Sequence, residues 1–247
     1  GFLSLFLSTL VFICIAFIRG KFLFSVESLP TLGFRMILEI FQAYVSIKAI
    51  TIADRSTFGF LRTLTIPLLL LVDISLGYSL AVNQIIGAGI LTVSLLLLLL
   101  NHGLRTKGIG FVLLSAVNAV ITISLFKYNI SHFNSVEVEQ GIVQIILLGY
   151  FSVMVWQTKG RNPLRLLAKP LFFLQSLSQA VAGVLISVGY LFVPASVASS
   201  VERSTAVFFS LLSGRQYFHE KKFAQKFIAL LFLIVGFAFL AGFSFGL

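Results

Sequence analysis

The sequence predicts an all-α, polytopic membrane protein. Of its 247 residues, 58% are hydrophobic and only 11% are charged, and the mean hydropathy is +1.05. A single soluble core cannot bury that much apolar surface, so lipid is the expected solvent for most of the chain. Apolar stretches of about 17 to 22 residues recur along the whole length, and each is long enough to cross a hydrocarbon core of roughly 30 Å as a helix.

Nine such stretches can be drawn along the chain. Helices are the economical structure for them, because a helix satisfies its own backbone hydrogen bonds in lipid. The connecting segments are short, which predicts one membrane unit without a separate soluble domain. The approximate limits of the predicted spans are 2–18, 33–52, 57–77, 82–100, 108–127, 141–157, 171–192, 199–217 and 226–245.

Composition and motifs argue against nucleic-acid binding, cofactors and catalysis. The net charge is +10, but the Lys and Arg residues lie mostly between the predicted spans, where they act as orientation signals. His102, His132 and His219 fall in different segments, and the single cysteine, Cys14, lies inside the first span. The GAG at 87–89 follows no strand and predicts close helix packing. We therefore expect no cofactor, no metal and no enzymatic activity.

A short repeated phrase indicates an internal duplication. ADRST at 53–57 is echoed by VERST at 201–205, and the likeness extends into the apolar segments that follow. This predicts two repeats, 1–107 and 108–247, with four and five spans, so a first helix is expected to be missing before residue 1. Because five is odd, the repeats of a five-plus-five protein enter the membrane from opposite sides. Such inverted repeats are typical of secondary transporters.

Two long stretches also carry a family resemblance. SSVERSTAVFFSLLSGRQYFHEKKFAQKFIALLFLIVGFAFL places a penultimate helix, a turn with Glu220 and a Gly-containing last helix in succession. QAYVSIKAITIADRSTFGFLRTLTIPLLLLVDISLG is the corresponding part of the first half. Both resemble EamA-like transporters of the drug/metabolite transporter superfamily. The resemblance implies ten helices in two inverted repeats and movement of small metabolites across the membrane. Pro67 matches a family proline, and Asp73 stands in place of the first-half Glu.

One predicted helix carries a stripe of polar residues. Arg35, Glu39, Gln42 and Ser46 follow a spacing of i, i+4, i+7 and i+11 and therefore share one helix face, expected to look inward. Arg35 and Glu39 can pair as i, i+4 neighbours. One interpretation is a snorkelling ion pair near the interface together with one helix–helix hydrogen bond. The other is a polar cavity in which Glu39 is a proton-linked or substrate-facing carboxylate.

Two further stripes suggest the rest of such a cavity. They consist of Ser115, Asn118 and Thr122 in one span and of Gln175, Ser178 and Gln179 in another. Each stripe alone is explained by hydrogen bonding between helices. Together they favour a polar site for a neutral or zwitterionic solute. The predicted substrate-binding residues are Glu39, Gln42, Asn118, Gln175 and Gln179.

The repeated charged pairs, Asp54 with Arg55 and Glu202 with Arg203, have two interpretations. Each pair is predicted to begin a helix, where an acidic side chain accepts hydrogen bonds from free N–H groups and suits the helix dipole. Alternatively, the pairs lie at opposite mouths of an inverted structure and gate it by ion pairing. A duplicated gene copies caps as readily as gates, so the sequence supports both.

These observations predict a secondary active transporter or exporter of a small polar metabolite, such as an amino acid, working by alternating access. The sequence offers no ATP-binding motif, so a proton or counter-solute gradient is the expected energy source. We expect lipid and a small solute as partners, and a bacterial-type plasma (inner) membrane as the location. Nucleotide sugars and drugs are alternative substrates within the same fold. A non-transporting membrane scaffold or accessory subunit is the alternative of another class.

Overall fold

The computed structural model describes residues 1–20, 22–77, 81–100, 107–159, 163–218 and 223–240, and this part of the chain is helical without any strand. The all-α prediction is therefore confirmed. Two short 3-10 helices, Val26–Ser28 and Pro163–Ala168, lie between longer elements. The α-helices are α1 Phe2–Arg19, α2 Leu29–Ile52, α3 Arg55–Arg62, α4 Thr65–Ser75, α5 Val82–Leu100, α6 Ile109–His132, α7 Val136–Lys159, α8 Pro170–Gly189, α9 Ala195–Phe218 and α10 Phe223–Leu240.

Several of these helices suit a lipid bilayer. Within the described part of the chain, five segments are long and apolar enough to cross a membrane, and two shorter apolar helices, Val82–Leu91 and Phe227–Phe239, accompany them. This agrees with an integral membrane protein, while the count of nine spans and the inverted repeat stay predictions. The five long segments are Phe2–Arg19, Thr57–Ser75, Ile109–His132, Val136–Gln157 and Pro170–Gly189.

The third predicted span is interrupted where α3 gives way to α4. Pro67 has no N–H with which to bond the carbonyl of Thr63 four residues earlier. That carbonyl instead accepts a hydrogen bond from the N–H of Ile66 at 2.9 Å, in the tighter i to i+3 pattern. The Thr63 hydroxyl donates to the carbonyl of Phe60 and satisfies a group at the end of α3. A proline inside an apolar run thus divides the span without exposing unpaired backbone.

The start of α9 is held by a carboxylate from another helix. Asp73 of α4 accepts a hydrogen bond at 2.9 Å from the backbone N–H of Ser196, the second residue of α9. The first N–H groups of a helix have no partner within it, and the helix dipole favours negative charge at that end. Asp73 is 1% exposed. It therefore serves as a buried cap supplied from 123 residues away.

The chain forms two compact units. Unit 1 comprises Gly1–Phe41 and Leu125–Phe192, and unit 2 comprises Gln42–Ser124 and Val193–Leu247. In unit 1, α1 packs against α7 and α8; in unit 2, α5 packs against α10, and α9 packs against α3, α4 and α10. Each unit draws on both halves of the sequence. The proposed repeats, 1–107 and 108–247, stay a prediction.

The close contact between α5 and α10 in unit 2 depends on glycine. A methyl group added at Gly236 would lie 2.9 Å from Leu91 Cγ and 3.0 Å from the carbonyl oxygen of Gly87. Gly87 is the first residue of the GAG stretch, so the predicted close packing is confirmed at that position. Gly89, by contrast, has open space where a side chain would begin. Close backbone approach at small residues is a common basis of helix association in lipid.

We expect Gly236→Ala to destabilise the protein by about 1–3 kcal/mol, because the added methyl group overpacks the α5–α10 contact. Thermal unfolding in a mild detergent measures the effect. Gly89→Ala is the matched control on the facing helix. It should be neutral or stabilise by up to about 1 kcal/mol through helix propensity. Equal stability of the two variants would contradict the proposed close approach.

Candidate functional site

Unit 1 buries charged side chains among apolar helices. Arg35, Lys127, Glu137 and Glu139 are all less than a tenth exposed. Insertion of an ionisable group at the centre of a membrane-spanning helix costs about 2.5–3.5 kcal/mol of free energy on insertion scales. Such groups therefore usually have a bonding partner or a function. The contacts around Arg35 and Glu139 form the most densely bonded polar cluster in the described residues of unit 1, and they define the candidate site.

The Glu139 carboxylate is fully engaged. Arg35 Nη1 of α2 donates to Glu139 Oε1 of α7 at 2.8 Å, and Asn129 Nδ2 of α6 donates to the same oxygen at 2.9 Å. Asn134 Nδ2, from the turn between α6 and α7, donates to the other oxygen, Oε2, at 2.6 Å. Glu139 is 0% exposed. One buried carboxylate therefore joins three elements through charge-assisted hydrogen bonds.

The opposite side of the Arg35 guanidinium is less tightly held. Arg35 Nη2 donates to Gln140 Oε1 at 3.1 Å and lies 3.6 Å from Glu39 Oε1. The ring of Phe126 covers the guanidinium at 4.5 Å, a cation–π distance. The Nε atom of Arg35 is buried and makes no hydrogen bond. Gln140 is itself oriented by Ser187 of α8, since its Nε2 donates to the Ser187 hydroxyl at 3.0 Å.

A second set of polar contacts positions the asparagines. Asn134 Nδ2 donates to Ser28 Oγ at 2.9 Å, and Asn134 Oδ1 accepts from the backbone N–H of Ser25 at 3.0 Å. The Thr31 hydroxyl donates to Asn129 Oδ1 at 2.7 Å. The segment that leads into α2 is thereby attached to α6 and to the turn that follows it. These contacts fix the two amide groups that bind Glu139.

Glu137 and Lys127 are two other buried charged residues of unit 1. Arg19, in the last turn of α1, pairs with Glu137 in the first turn of α7 at 2.7 Å. The Lys127 ammonium of α6 donates to the carbonyl of Tyr190 at the end of α8. A cation at a helix C-terminus is favoured by the helix dipole. Both pairs link neighbouring helices of unit 1.

The sequence predicted that Arg35 and Glu39 interact, but it did not predict the main partner of Arg35. The predicted i, i+4 ion pair of Arg35 with Glu39 is present, at 3.6 Å. The shorter bond goes to Glu139, which lies 104 positions away, and Asn129 and Asn134 complete the carboxylate's surroundings. A signal existed in the sequence: Glu137 and Glu139 stand in the first turn of α7, where acidic residues suit the dipole. The sequence did not show that these two glutamates are buried.

In unit 2 the structure brings together Gln42 and Asn118, two of the predicted substrate-binding residues. Asn118 Nδ2 donates to Gln42 Oε1 at 2.8 Å, while Gln42 Nε2 donates to Ser115 Oγ at 2.9 Å and to Ser46 Oγ at 3.1 Å. These bonds connect α2 and α6. The helix–helix hydrogen bond expected from the polar stripe is therefore present, and the role of the pair in binding a solute stays a prediction.

Gln175 and Gln179 lie at exposed positions of α8 in unit 1. Gln179 Oε1 accepts a hydrogen bond from the Ser4 hydroxyl of α1 at 2.7 Å. The face of α8 that unit 1 buries contains Ser176 and Ser187 instead. Binding of a solute by the two glutamines remains a prediction.

The first charged pair begins a helix as expected. Asp54 occupies the N-cap position of α3, and Arg55 is the first residue of that helix. The Asp54 side chain makes no capping hydrogen bond, although its backbone has the extended conformation of an N-cap residue. The position is that of a cap, but the expected side-chain bond is absent.

The capping interpretation of the second pair is wrong. α9 begins at Ala195, so Glu202 and Arg203 lie beyond its first turn and cannot bond its free N–H groups. The helix starts early because Pro194 precedes it and its carbonyl accepts from Ala198 N–H. Asp73 supplies the cap instead. Within α9, Glu202 and Arg203 form an ion pair at 3.1 Å.

Comparison with known proteins adds no family assignment. No model of a protein family matches the chain, and no curated protein matches it either. The resemblance to EamA-like transporters therefore stays a prediction, and Glu220, His102 and His219 lie outside the described residues. Among the residues that the structure does describe, no group of three or more His, Cys, Asp or Glu side chains is placed to hold a metal ion.

Proposed function

We propose that the protein is a secondary active transporter of a small polar metabolite, such as an amino acid, that works by alternating access in a bacterial-type plasma membrane. One observation carries the proposal: two carboxylates, those of Glu39 and Glu139, lie beside the buried guanidinium of Arg35 between apolar helices. In membrane-spanning helices such groups commonly mark the path of an ion or a solute. The resemblance to EamA-like transporters of the drug/metabolite superfamily agrees with this function.

The two carboxylates next to Arg35 have different roles in the proposal. Glu139 is fully buried and receives three hydrogen bonds, so it holds the guanidinium in place. The Glu39 side chain is 21% exposed and lies at a longer distance from Arg35. It is therefore the carboxylate that a solute or a proton reaches. Solute binding is also proposed for Gln175 and Gln179 of unit 1 and, separately, for Gln42 and Asn118 of unit 2.

A non-transporting scaffold or accessory subunit is the second candidate. The hydrogen bonds that join Gln42, Ser115 and Asn118 favour it, because amide groups that already bond to neighbouring helices serve as structural links. If the protein is a scaffold, the cluster around Arg35 only stabilises the packing of the helices in unit 1. The two functions differ in whether any solute crosses the membrane.

Flux into liposomes tests the proposed function. The purified protein, reconstituted in liposomes, is expected to move one class of labelled solute from a panel of amino acids, nucleotide sugars, polyamines and cationic drugs. An imposed pH gradient and counter-solute loading identify the driving force. If none of these solutes enters the liposomes although the protein unfolds cooperatively, the result favours the scaffold.

Glu39→Gln should lower this flux by at least about tenfold, since removal of a charged partner from a binding or proton-transfer site costs 1.5–3 kcal/mol. The pH dependence of flux should change with it. Glu27→Gln, which neutralises an exposed carboxylate in the same unit, is the matched control and should leave flux unchanged. Undiminished flux with an unaltered pH profile in Glu39→Gln would exclude the role of Glu39.

A further inference from the structure

We infer that the solute is a small zwitterion with neighbouring ammonium and carboxylate groups, and that it binds by inserting between Arg35 and Glu39. The inference rests on the proposed function and specifies its substrate class. The carboxylate of the solute pairs with the Arg35 guanidinium, and the ammonium group of the solute pairs with the Glu39 carboxylate. The two charges of the Arg35–Glu39 ion pair in α2 are then complementary to the two charges of the solute.

The two ion pairs of Arg35 are unequal. Nη1 and Glu139 Oε1 are 2.8 Å apart, within hydrogen-bond distance, whereas Nη2 and Glu39 Oε1 are 3.6 Å apart, beyond it. Glu139 is further held by Asn129 and Asn134. Separation of Arg35 from Glu39 therefore breaks no short hydrogen bond. Separation from Glu139 dismantles the whole cluster.

The side of the guanidinium that faces away from Glu139 has an unused donor. Nε and Nη2 form one edge of the guanidinium, the edge that receives both oxygens of a carboxylate through two parallel hydrogen bonds. Nε is buried without a hydrogen-bond partner. Nη2 donates one of its two hydrogens to Gln140 and can donate the other. A carboxylate at this edge supplies the missing partner of Nε.

The guanidinium is prepared for such a ligand. The Phe126 ring lies over it at 4.5 Å, Glu139 holds Nη1, and Gln140, itself bonded to Ser187, holds Nη2. A group held in place before binding loses little conformational entropy when the ligand arrives. Access is from the Glu39 side, because that side chain is 21% exposed while the side chain of Arg35 is 3% exposed.

Charge balance selects a zwitterion. A solute with only a carboxylate would add a second negative charge beside Glu39. A solute with only an ammonium group would pair with Glu39 and leave the Nε edge empty. Lys127, a further buried cation among the described residues of unit 1, is engaged at the Tyr190 carbonyl. Among solutes whose carboxylate fills the Nε edge, one that also carries an ammonium group leaves the net charge of the site unchanged, in an environment where unpaired charge is costly.

Equilibrium binding to the purified full chain in detergent tests the inference without transport. The probes are matched triplets: alanine with ethylamine and propionate, and leucine with 3-methylbutylamine and 4-methylpentanoate. We expect at least one of the amino acids to bind, and each partner that lacks one charge to bind at least about tenfold more weakly. Similar affinity of all three members of a triplet overturns the inference, and so does the absence of binding by both amino acids.

Two variants separate recognition from structural support. Arg35→Lys keeps the charge but lacks the guanidinium edge, and it should weaken amino-acid binding by at least about tenfold. Glu39→Gln should weaken it similarly and reverse the order of ligands, so that the carboxylate without an ammonium group binds better than the amino acid. Glu27→Gln should bind like the parent protein. An unchanged order of ligands in Glu39→Gln overturns the inference even if affinity falls.

The outcomes for binding and for flux are distinguishable. If the protein transports another class of solute but binds no amino acid, the zwitterion site is excluded and the proposed transport function is still supported. Amino-acid binding with the expected response of the variants, in a protein that moves no solute, supports the site and excludes transport.

Discussion

Replacement of Glu139 by glutamine should destabilise the protein by about 3–5 kcal/mol, because it leaves the buried Arg35 guanidinium without its closest counter-charge. Glutamine has nearly the shape of glutamate, so the loss is electrostatic and not due to a cavity. Its amide also presents a donor to Asn129 or Asn134, both of which donate to Glu139 in the parent protein. Thermal unfolding in detergent, followed by the fluorescence of Trp156, the only tryptophan of the chain, measures the change.

A double variant provides the control. Arg35→Met combined with Glu139→Gln removes the charge and its partner together, and buried pairs replaced as a whole are often close to neutral in stability. We expect the double variant to recover at least half of the stability lost by Glu139→Gln. Destabilisation by Glu139→Gln below about 1 kcal/mol would contradict the buried geometry. Additive losses in the double variant would show that the two residues do not interact.

Asp73→Ala should cost about 1–3 kcal/mol, because it leaves the Ser196 N–H of α9 buried without its acceptor and removes a negative charge from the helix N-terminus. Asp73→Asn is expected to recover part of the loss, since an amide oxygen can still accept the hydrogen bond. Unfolding in detergent gives both values. Hydrogen exchange at the first turn of α9 should rise in Asp73→Ala, and unchanged exchange there would contradict the cap.

The two stability predictions concern different units. Glu139 and Arg35 belong to unit 1, whereas Asp73 and Ser196 belong to unit 2. Both concern a carboxylate that accepts a hydrogen bond from a buried donor, the Arg35 guanidinium in one case and the Ser196 backbone N–H in the other. In an apolar environment, the penalty for removing such a partner exceeds the net contribution of a typical hydrogen bond. Charged residues make up only 11% of this chain, and these two carboxylates are buried.

Local features of this protein could be predicted from its sequence. Long runs of Leu, Ile, Val and Phe predicted helices, since backbone satisfaction and hydrophobic transfer depend on residues close together in the chain. The pairing of Arg35 with Glu39 followed from a spacing of four residues on one helix. The close packing at Gly87 followed from small residues within an apolar helix.

Only the tertiary structure decided which distant groups meet. Arg35 and Glu139 are 104 residues apart, and Asp73 and Ser196 are 123 residues apart. Nothing in either local sequence specifies these partners, because hydrogen-bond partners between helices are selected by packing. The capping interpretation of Glu202 and Arg203 is wrong for the same reason, since the cap of α9 comes from the distant residue Asp73. The sequence determined apolar helices, one of them with a charged face, and tertiary packing determined that Glu139 is the main partner of Arg35 on that face.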